Sequence, residues 1–136
     1  MLNEEELERY KRQIAIPGFG ESGQLKLKKA SILIAGAGGL GSSASLYLAA
    51  AGIGSMRIID SDKVELSNLN RQLLHGTPDI GREKTLSAGE KLRALNPSVK
   101  IVLKSKFCNK LSSYLLQMIM FLFIKRFRYF LFRSIW

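Results

Sequence analysis

Apolar positions follow two rhythms along this chain, one helical and one strand-like. Leu7, Tyr10 and Ile14 recur at helical spacing, so residues 4–14 read as a short amphipathic helix. Asn3 followed by Glu6 resembles an N-terminal capping pair for it. Pro17-Gly18 breaks the pattern, and Gly20 and Gly23 continue a loop. Leu25 and Leu27 then begin a short segment with Lys26, Lys28 and Lys29 exposed. Ser31–Ala35 is a continuous apolar run, which suits a strand covered on both faces. Ser42–Ala51 is rich in Ala and Leu and reads as a helix that Gly52 and Gly54 end. Met56–Ile59 is a second buried strand finishing at Asp60, and Ser67–Gln72 reads as a short helical turn. After a turn at Thr77-Pro78-Asp79, Arg82–Leu95 is a helix with Leu86, Leu92 and Leu95 on one side, stopped by Asn96-Pro97. Val99–Leu103 alternates with Lys100 and Lys104 as a third strand. The order β-α-β-α-β predicts an α/β fold with a Rossmann-like, doubly wound parallel sheet.

The pattern changes after Lys106. Nine of the 12 aromatic residues fall in the last 30 positions, which contain no acid, no Gly and no Pro. The expected organisation is therefore one α/β domain over 1–106 and an atypical apolar-basic helical tail over 107–136. Reading out of frame or truncation fits the abrupt change best. A basic membrane-surface helix and a helix covering a bare sheet edge are the other readings. Leu115, Ile119, Leu122, Arg126 and Tyr129 give them only a partial stripe. The apolar stretch Tyr114–Ile124 is too short to span a bilayer, which needs roughly 20 residues.

Charge alters this picture little. The formal net charge is +10, but all 11 acids and 16 of the 21 Lys and Arg precede Phe107. The excess is +5 on each side of that boundary. A modest basic excess spread over a globular domain needs no nucleic acid to explain it. The single cysteine, Cys108, excludes an internal disulfide and a Cys-rich zinc site within the chain, so a reducing, cytoplasmic setting is expected.

Gly36-x-Gly38-x-x-Gly41 carries the candidate chemistry. It has dinucleotide-loop spacing, with a strand before it and a helix after it. The first glycine permits a tight turn, the second lets phosphate approach the backbone, and the third allows close helix–strand contact. The N–H groups that open the helix then face an anion, aided by the helix dipole. Asp60, 19 residues past Gly41, is placed to accept hydrogen bonds from ribose hydroxyls. The alternative is that these glycines only make a turn. The spacing alone favours NAD, and no Lys follows Gly41 as in a Walker loop. A triphosphate would need further cations, and Arg12, Arg71 and Lys84 lie where elements begin or end. Taken singly, each is more often a solvated surface charge. His75 reads as a packing or hydrogen-bonding histidine.

Six segments together resemble the ThiF/MoeB/HesA adenylyltransferases, relatives of the ubiquitin-activating enzymes. They are Arg9–Ile14, Gly36–Ser42, Asp60–Glu65, Ser67–Gln72, Gly81–Lys84 and Leu95–Pro97, in matching order and spacing over residues 1–106. The resemblance is nearest to the molybdopterin-synthase and thiamine sulfur-carrier adenylyltransferases. It implies ATP and Mg²⁺ rather than NAD, and activation of the C-terminal Gly-Gly carboxylate of a ubiquitin-like sulfur-carrier protein. By that resemblance Gly39 touches nucleotide and Asp60 the ribose. Ser67, Asn68, Leu69, Asn70 and Arg71 line the phosphate site, and Lys84 holds the α-phosphate region. Arg12 acts as an arginine finger from the second subunit of a homodimer. The family's Mg²⁺-binding aspartate has no counterpart here, since no acid follows Glu90. Its Cys-x-x-Cys zinc pairs are absent too, so no zinc is expected. The resemblance thus implies that residues 1–106 are an incomplete nucleotide-binding domain, the N-terminal half of the fold, and that the chain is a nucleotidyltransferase fragment with impaired turnover. The competing classes are an NAD-binding oxidoreductase module, a non-catalytic nucleotide-binding or dimerisation protein, and a membrane-surface protein acting through the tail.

Overall fold

Three parallel strands form the sheet, in the order β1-β2-β3: Ser31–Ala35, Ser55–Ile59 and Lys100–Lys104. The computed structural model describes residues 1–105. The expected helical tail, its partial stripe and Cys108 lie outside them. Register places Ile32, Met56 and Ile101 in one row, and Ile34, Ile58 and Leu103 in another. These rows face the core with Ala49, Ala88 and Leu92, which belong to the two crossover helices. Those helices are α4 (Gly39–Ala50) and α5 (Lys84–Leu95). A parallel pair cannot be joined by a hairpin, so a helix must return the chain each time. The α/β Rossmann-like class follows.

The expectation that Ser31–Ala35 is covered on both faces does not hold among the described residues. Both crossover helices pack against the same rows. The row Leu33, Arg57 and Val102 projects from the other face, and Leu33 is 54% exposed. A continuous apolar run cannot distinguish one covered face from two.

The N-terminal region holds more helix than its pattern predicts, in three pieces: α1 (Glu4–Arg9), α2 (Lys11–Ile14) and α3 (Gly20–Lys29). The capping pair forms, with Asn3 Oδ1 accepting from the Glu6 N–H and Glu6 accepting from the Asn3 N–H. The single helix expected over 4–14 is interrupted at Tyr10, which leaves helical geometry at φ −101° and ψ 9°. Its buried ring lies against Gly52, where any side chain would collide with it and where φ is +83°. Gly20 and Gly23, expected in a loop, begin α3 instead, because the Phe19 ring fills the space over Gly23. Tertiary contact outweighs weak helix propensity here.

A buried polar network ties these helices to the domain. Asn96, fully buried, donates to the Tyr10 hydroxyl (2.8 Å) and to the Ala49 carbonyl (2.7 Å). Gln13 and Gln24 both donate to the Ala51 carbonyl, at 2.8 and 3.0 Å. Two of the family-like segments, Arg9–Ile14 and Leu95–Pro97, therefore serve to hold the scaffold.

Two helix limits also differ from expectation. α4 starts at Gly39 rather than Ser42, with its first turn made by the glycine loop itself. α5 starts at Lys84 rather than Arg82, because residues 81–84 run alongside 62–64 in extended pairing. Its buried face is Thr85, Ala88, Gly89 and Leu92, whereas Leu86 and Leu95 are exposed. That small-residue face lets the helix lie close to Leu103 of β3. Among the described residues no helix is long and apolar enough to cross a membrane.

Candidate functional site

The loop after β1 is fixed from several sides. Gly36 has φ +95°, the left-handed conformation that turns the chain sharply, and its N–H continues the sheet by donating to the Ile59 carbonyl at 2.8 Å. Gly41 packs so close to the Gly36 carbonyl that a Cβ would run into it. This is the close helix–strand contact expected of the third glycine. Asp60, buried at the end of β2, accepts from the Ala37 N–H (2.7 Å) and the Asp62 N–H (2.8 Å). Both its oxygens are thus engaged by backbone before any ribose arrives. Its first task is to lock the loop to the strand end, and sequence spacing gave no sign of that.

His75 lies beneath the same loop. Its Nε2 is 3.1 Å from the Ala37 carbonyl, and its Nδ1 is 2.9 Å from the Ser87 hydroxyl. It is the buried, hydrogen-bonding histidine expected from sequence. Burial pushes its pKa below the ordinary value of 6.5, outweighing the bond to Ala37, and the Lys91 and Lys84 cations act in the same direction.

Above the loop opens a cleft of about 610 Å³. Gly36, Gly38 and Gly39 form one wall, with Asp60, Asn68, Arg71 and Lys84 around it. Seven of the sequence-derived candidates thus meet in one place. Asn68 is buried and caps the Leu66–Asn68 turn by accepting from the Glu65 N–H at 3.2 Å. Lys84 is delivered by the extended 81–84 segment, its own N–H donating to the Asp62 carbonyl at 3.0 Å. Its ammonium pairs with the Asp62 carboxylate at 3.1 Å.

The remaining candidates are placed elsewhere. Ser67, Leu69 and Asn70 do not line the cleft. Their segment shapes it indirectly: the Ser67 carbonyl and Asn70 Oδ1 accept from the Arg71 guanidinium at 2.9 and 3.0 Å. Gly41 lies behind the loop. Arg12 is exposed on α2 and is not part of this chain's cleft. Its neighbours Tyr10 and Gln13 point inward to the buried network, so Arg12 faces out. The cleft also contains Asp62, Lys63, Glu65 and Gln72, for which sequence reading had no role. All four sit inside the quoted segments, but nothing in their spacing separated lining residues from supports. Among the described residues no group of three or more His, Cys, Asp or Glu side chains could hold a metal ion.

A glycine loop locked at a strand end, with Lys63, Arg71 and Lys84 around it, suits a polyphosphate. Comparison with known proteins agrees. The model of the ThiF family matches residues 10–125. The chain belongs to the ThiF family. The match runs past Lys106, where the resemblance seen in the sequence motifs ended. The chain is 49% identical over 100 residues to a probable adenylyltransferase/sulfurtransferase MoeZ of Mycobacterium tuberculosis, covering 74% of this chain and 26% of that protein. It is 50% identical over 97 residues to the sulfur carrier protein adenylyltransferase of Thermus thermophilus, covering 71% and 36%. Among solved structures, E. coli TcdA in complex with ATP superposes with TM-score 0.73 at 29% identity, over 79% of this chain and 43% of TcdA. E. coli MccB with ATP gives TM-score 0.70 at 33% identity, over 80% and 33%. The chain thus spans about a quarter to a third of the length of the curated relatives named here.

Proposed function

We propose that this ThiF-family chain is the nucleotide-binding part of an ATP-dependent adenylyltransferase acting on a ubiquitin-like sulfur-carrier protein. The observation that carries the reading is the meeting of Arg71 and Lys84 with Gly36, Gly38 and Gly39 around one cleft. Two similar structures that contain ATP, and a relative named as a sulfur carrier protein adenylyltransferase, support it. In the proposed reaction the carrier's C-terminal glycine carboxylate attacks the α-phosphorus of ATP. A new P–O bond forms, the bond to the β-phosphate oxygen breaks, and pyrophosphate leaves with the electron pair. The product is an acyl-adenylate. No enzyme nucleophile or base is required, because the attacking group is already ionised.

The protein's share is positioning and charge neutralisation. The N–H groups opening α4 and the cations Lys84 and Arg71 offset charge on the phosphates. Arg12 is proposed to reach the cleft of a second copy in a homodimer, which its outward placement on α2 permits. Among the described residues no group of three or more His, Cys, Asp or Glu is assembled to hold Mg²⁺, which would arrive with ATP. A cytoplasmic setting belongs to the same reading. An NAD-dependent module would share the loop and Asp60 but leave Arg71 and Lys84 without a task.

Titration calorimetry with ATP and with NAD tests the nucleotide, and carrier-dependent pyrophosphate exchange tests the reaction. Binding of ATP in preference to NAD is the expected result. Robust NAD binding with none of ATP would overturn the reading.

A further inference from the structure

His75 has no part in the proposed chemistry, yet it is buried against the one loop on which that chemistry depends. The Ala37 carbonyl can only accept, so the His75 Nε2 facing it at 3.1 Å carries the proton. Its Nδ1 is then the bare nitrogen, accepting from the Ser87 hydroxyl at 2.9 Å. The same carbonyl also accepts from the Ser42 hydroxyl at 3.1 Å, and Ser42 is itself fully buried. On the near side of the residue, the Ala37 N–H donates to Asp60 at 2.7 Å. Two consecutive peptide groups, 36–37 and 37–38, are therefore pinned by buried side chains.

The second pin has a directional consequence. In a trans peptide the C=O and the following N–H point in opposite directions, and the chain has no cis peptide bond among its described residues. With the Ala37 carbonyl drawn down to His75 and Ser42, the Gly38 N–H must face the other way. Gly38 lines the cleft, and its N–H has no protein partner among the described residues. We propose that His75 is a positioning residue of the nucleotide site: its Nε2–H holds the 37–38 peptide so that the Gly38 N–H is presented to a phosphate oxygen. This rests on the reading of the cleft as a nucleotide site.

Burial favours the neutral ring that the pin requires. The charged groups around it are Lys91 and Lys84, which oppose protonation, and Asp79, which favours it. Protonation would leave the Nε2–H in place but reverse the bond to Ser87, whose hydroxyl would turn to the Leu74 carbonyl 3.5 Å away. The Ala37 bond is thus the constant partner and the Ser87 bond the adjustable one.

Two substitutions separate positioning from mere packing. Glutamine places its amide nitrogen near the Nε2 position, whereas asparagine reaches only the Nδ1 position. His75→Gln should bind ATP within about threefold of the unmodified chain. His75→Asn should bind about tenfold more weakly, the loss that accompanies one buried hydrogen bond. Equal losses in both variants, or none in His75→Asn, would overturn the proposal. Hydrogen exchange at the Ala37 amide without nucleotide should be about tenfold faster in His75→Asn and little changed in His75→Gln. Identical exchange in all three chains would also overturn it. If the unmodified chain binds no ATP, the nucleotide reading fails, and the exchange result still decides the positioning role. Should His75→Asn not fold, the ¹⁵N shifts of the unmodified imidazole decide instead: a proton on Nε2 is expected, and one on Nδ1 alone would sink the idea.

Discussion

Lys84 is the residue on which the cleft's electrostatics turn. It is 6% exposed, yet its only carboxylate partner among the described residues, Asp62, keeps 67% of its side chain in water. Removing the ammonium therefore leaves Asp62 free to rehydrate rather than stranded. Lys84→Met, of similar length, should fold with little change in melting temperature. Carrier-dependent pyrophosphate exchange should nonetheless fall on the order of a hundredfold, as when a preorganised electrostatic group is lost. An unchanged exchange rate would remove Lys84 from the reaction. Glycine supplies the steric counterpart at this scale. Gly41→Ala drives a Cβ into the Gly36 carbonyl, a backbone atom that cannot swing aside. The expected cost is about 2 kcal/mol or more in urea unfolding. The loop glycines and Asp60 were legible because their roles follow from spacing along one strand–turn–helix unit. The second role of Asp60, holding the Ala37 N–H, was not, since it depends on where the folded loop lies above the strand end. Lys63 and Gln72 were hidden for a similar reason: a segment known to be near a site does not reveal which side chains turn toward it.

Buried polar contacts tie the N-terminal helices and the Thr77–Asp79 turn to the domain. Asp79 shows this best. It accepts from the Gly76 N–H at 2.8 Å and pairs with Arg82 at 2.9 Å and with Lys91, fixing the Thr77–Asp79 turn to α5. Burial alone would raise its pKa, but chiefly Lys91 and the Gly76 N–H outweigh it and hold the carboxyl at about 2, from an ordinary 3.8. A carboxyl with a depressed folded-state pKa contributes stability above its unfolded value, lost as pH falls through the folded one. The window is therefore pH 4 to 2, and the contribution is about 2 kcal/mol at neutral pH. Melting temperature should drop across that window, and Asp79→Asn should flatten the drop while lowering stability at pH 7. Such contacts explain what periodicity could and could not show. Strands and the α4 region were legible as apolar runs, and α5 from the spacing of its leucines. The break at Tyr10, the helix over Gly20–Lys29 and the buried face of α5 were not, because a tyrosine hydroxyl, a phenylalanine ring and a small-residue face decided them. Asn96→Ala tests the scale of these ties: it leaves the Tyr10 hydroxyl and Ala49 carbonyl unsatisfied and should cost about 2–3 kcal/mol in chemical unfolding.

At the scale of the whole molecule, Arg12 stands exposed outside the cleft lining. Lys84 and Arg71 line the cleft, while Arg12 sits on α2, outside that lining. Tyr10 and Gln13 hold α2 through the Asn96 and Ala51 contacts, so the helix cannot roll Arg12 inward without breaking buried hydrogen bonds. The proposed route for Arg12 is therefore across a two-fold interface, in which each subunit receives the other's arginine. That geometry has a consequence a monomer cannot imitate. Arg12→Ala and Lys84→Met should each be defective alone in pyrophosphate exchange with the carrier. In an equal mixture, half the dimers pair one variant with the other. One cleft in each such dimer then contains an intact Lys84 and an intact incoming Arg12, so about a quarter of all clefts are restored. Recovery should depend on time and concentration as subunits exchange, and it should be absent when either variant is doubled in place of the mixture. Activity that stays at the level of the separate variants would confine the reaction to one chain and leave Arg12 as a solvated surface charge.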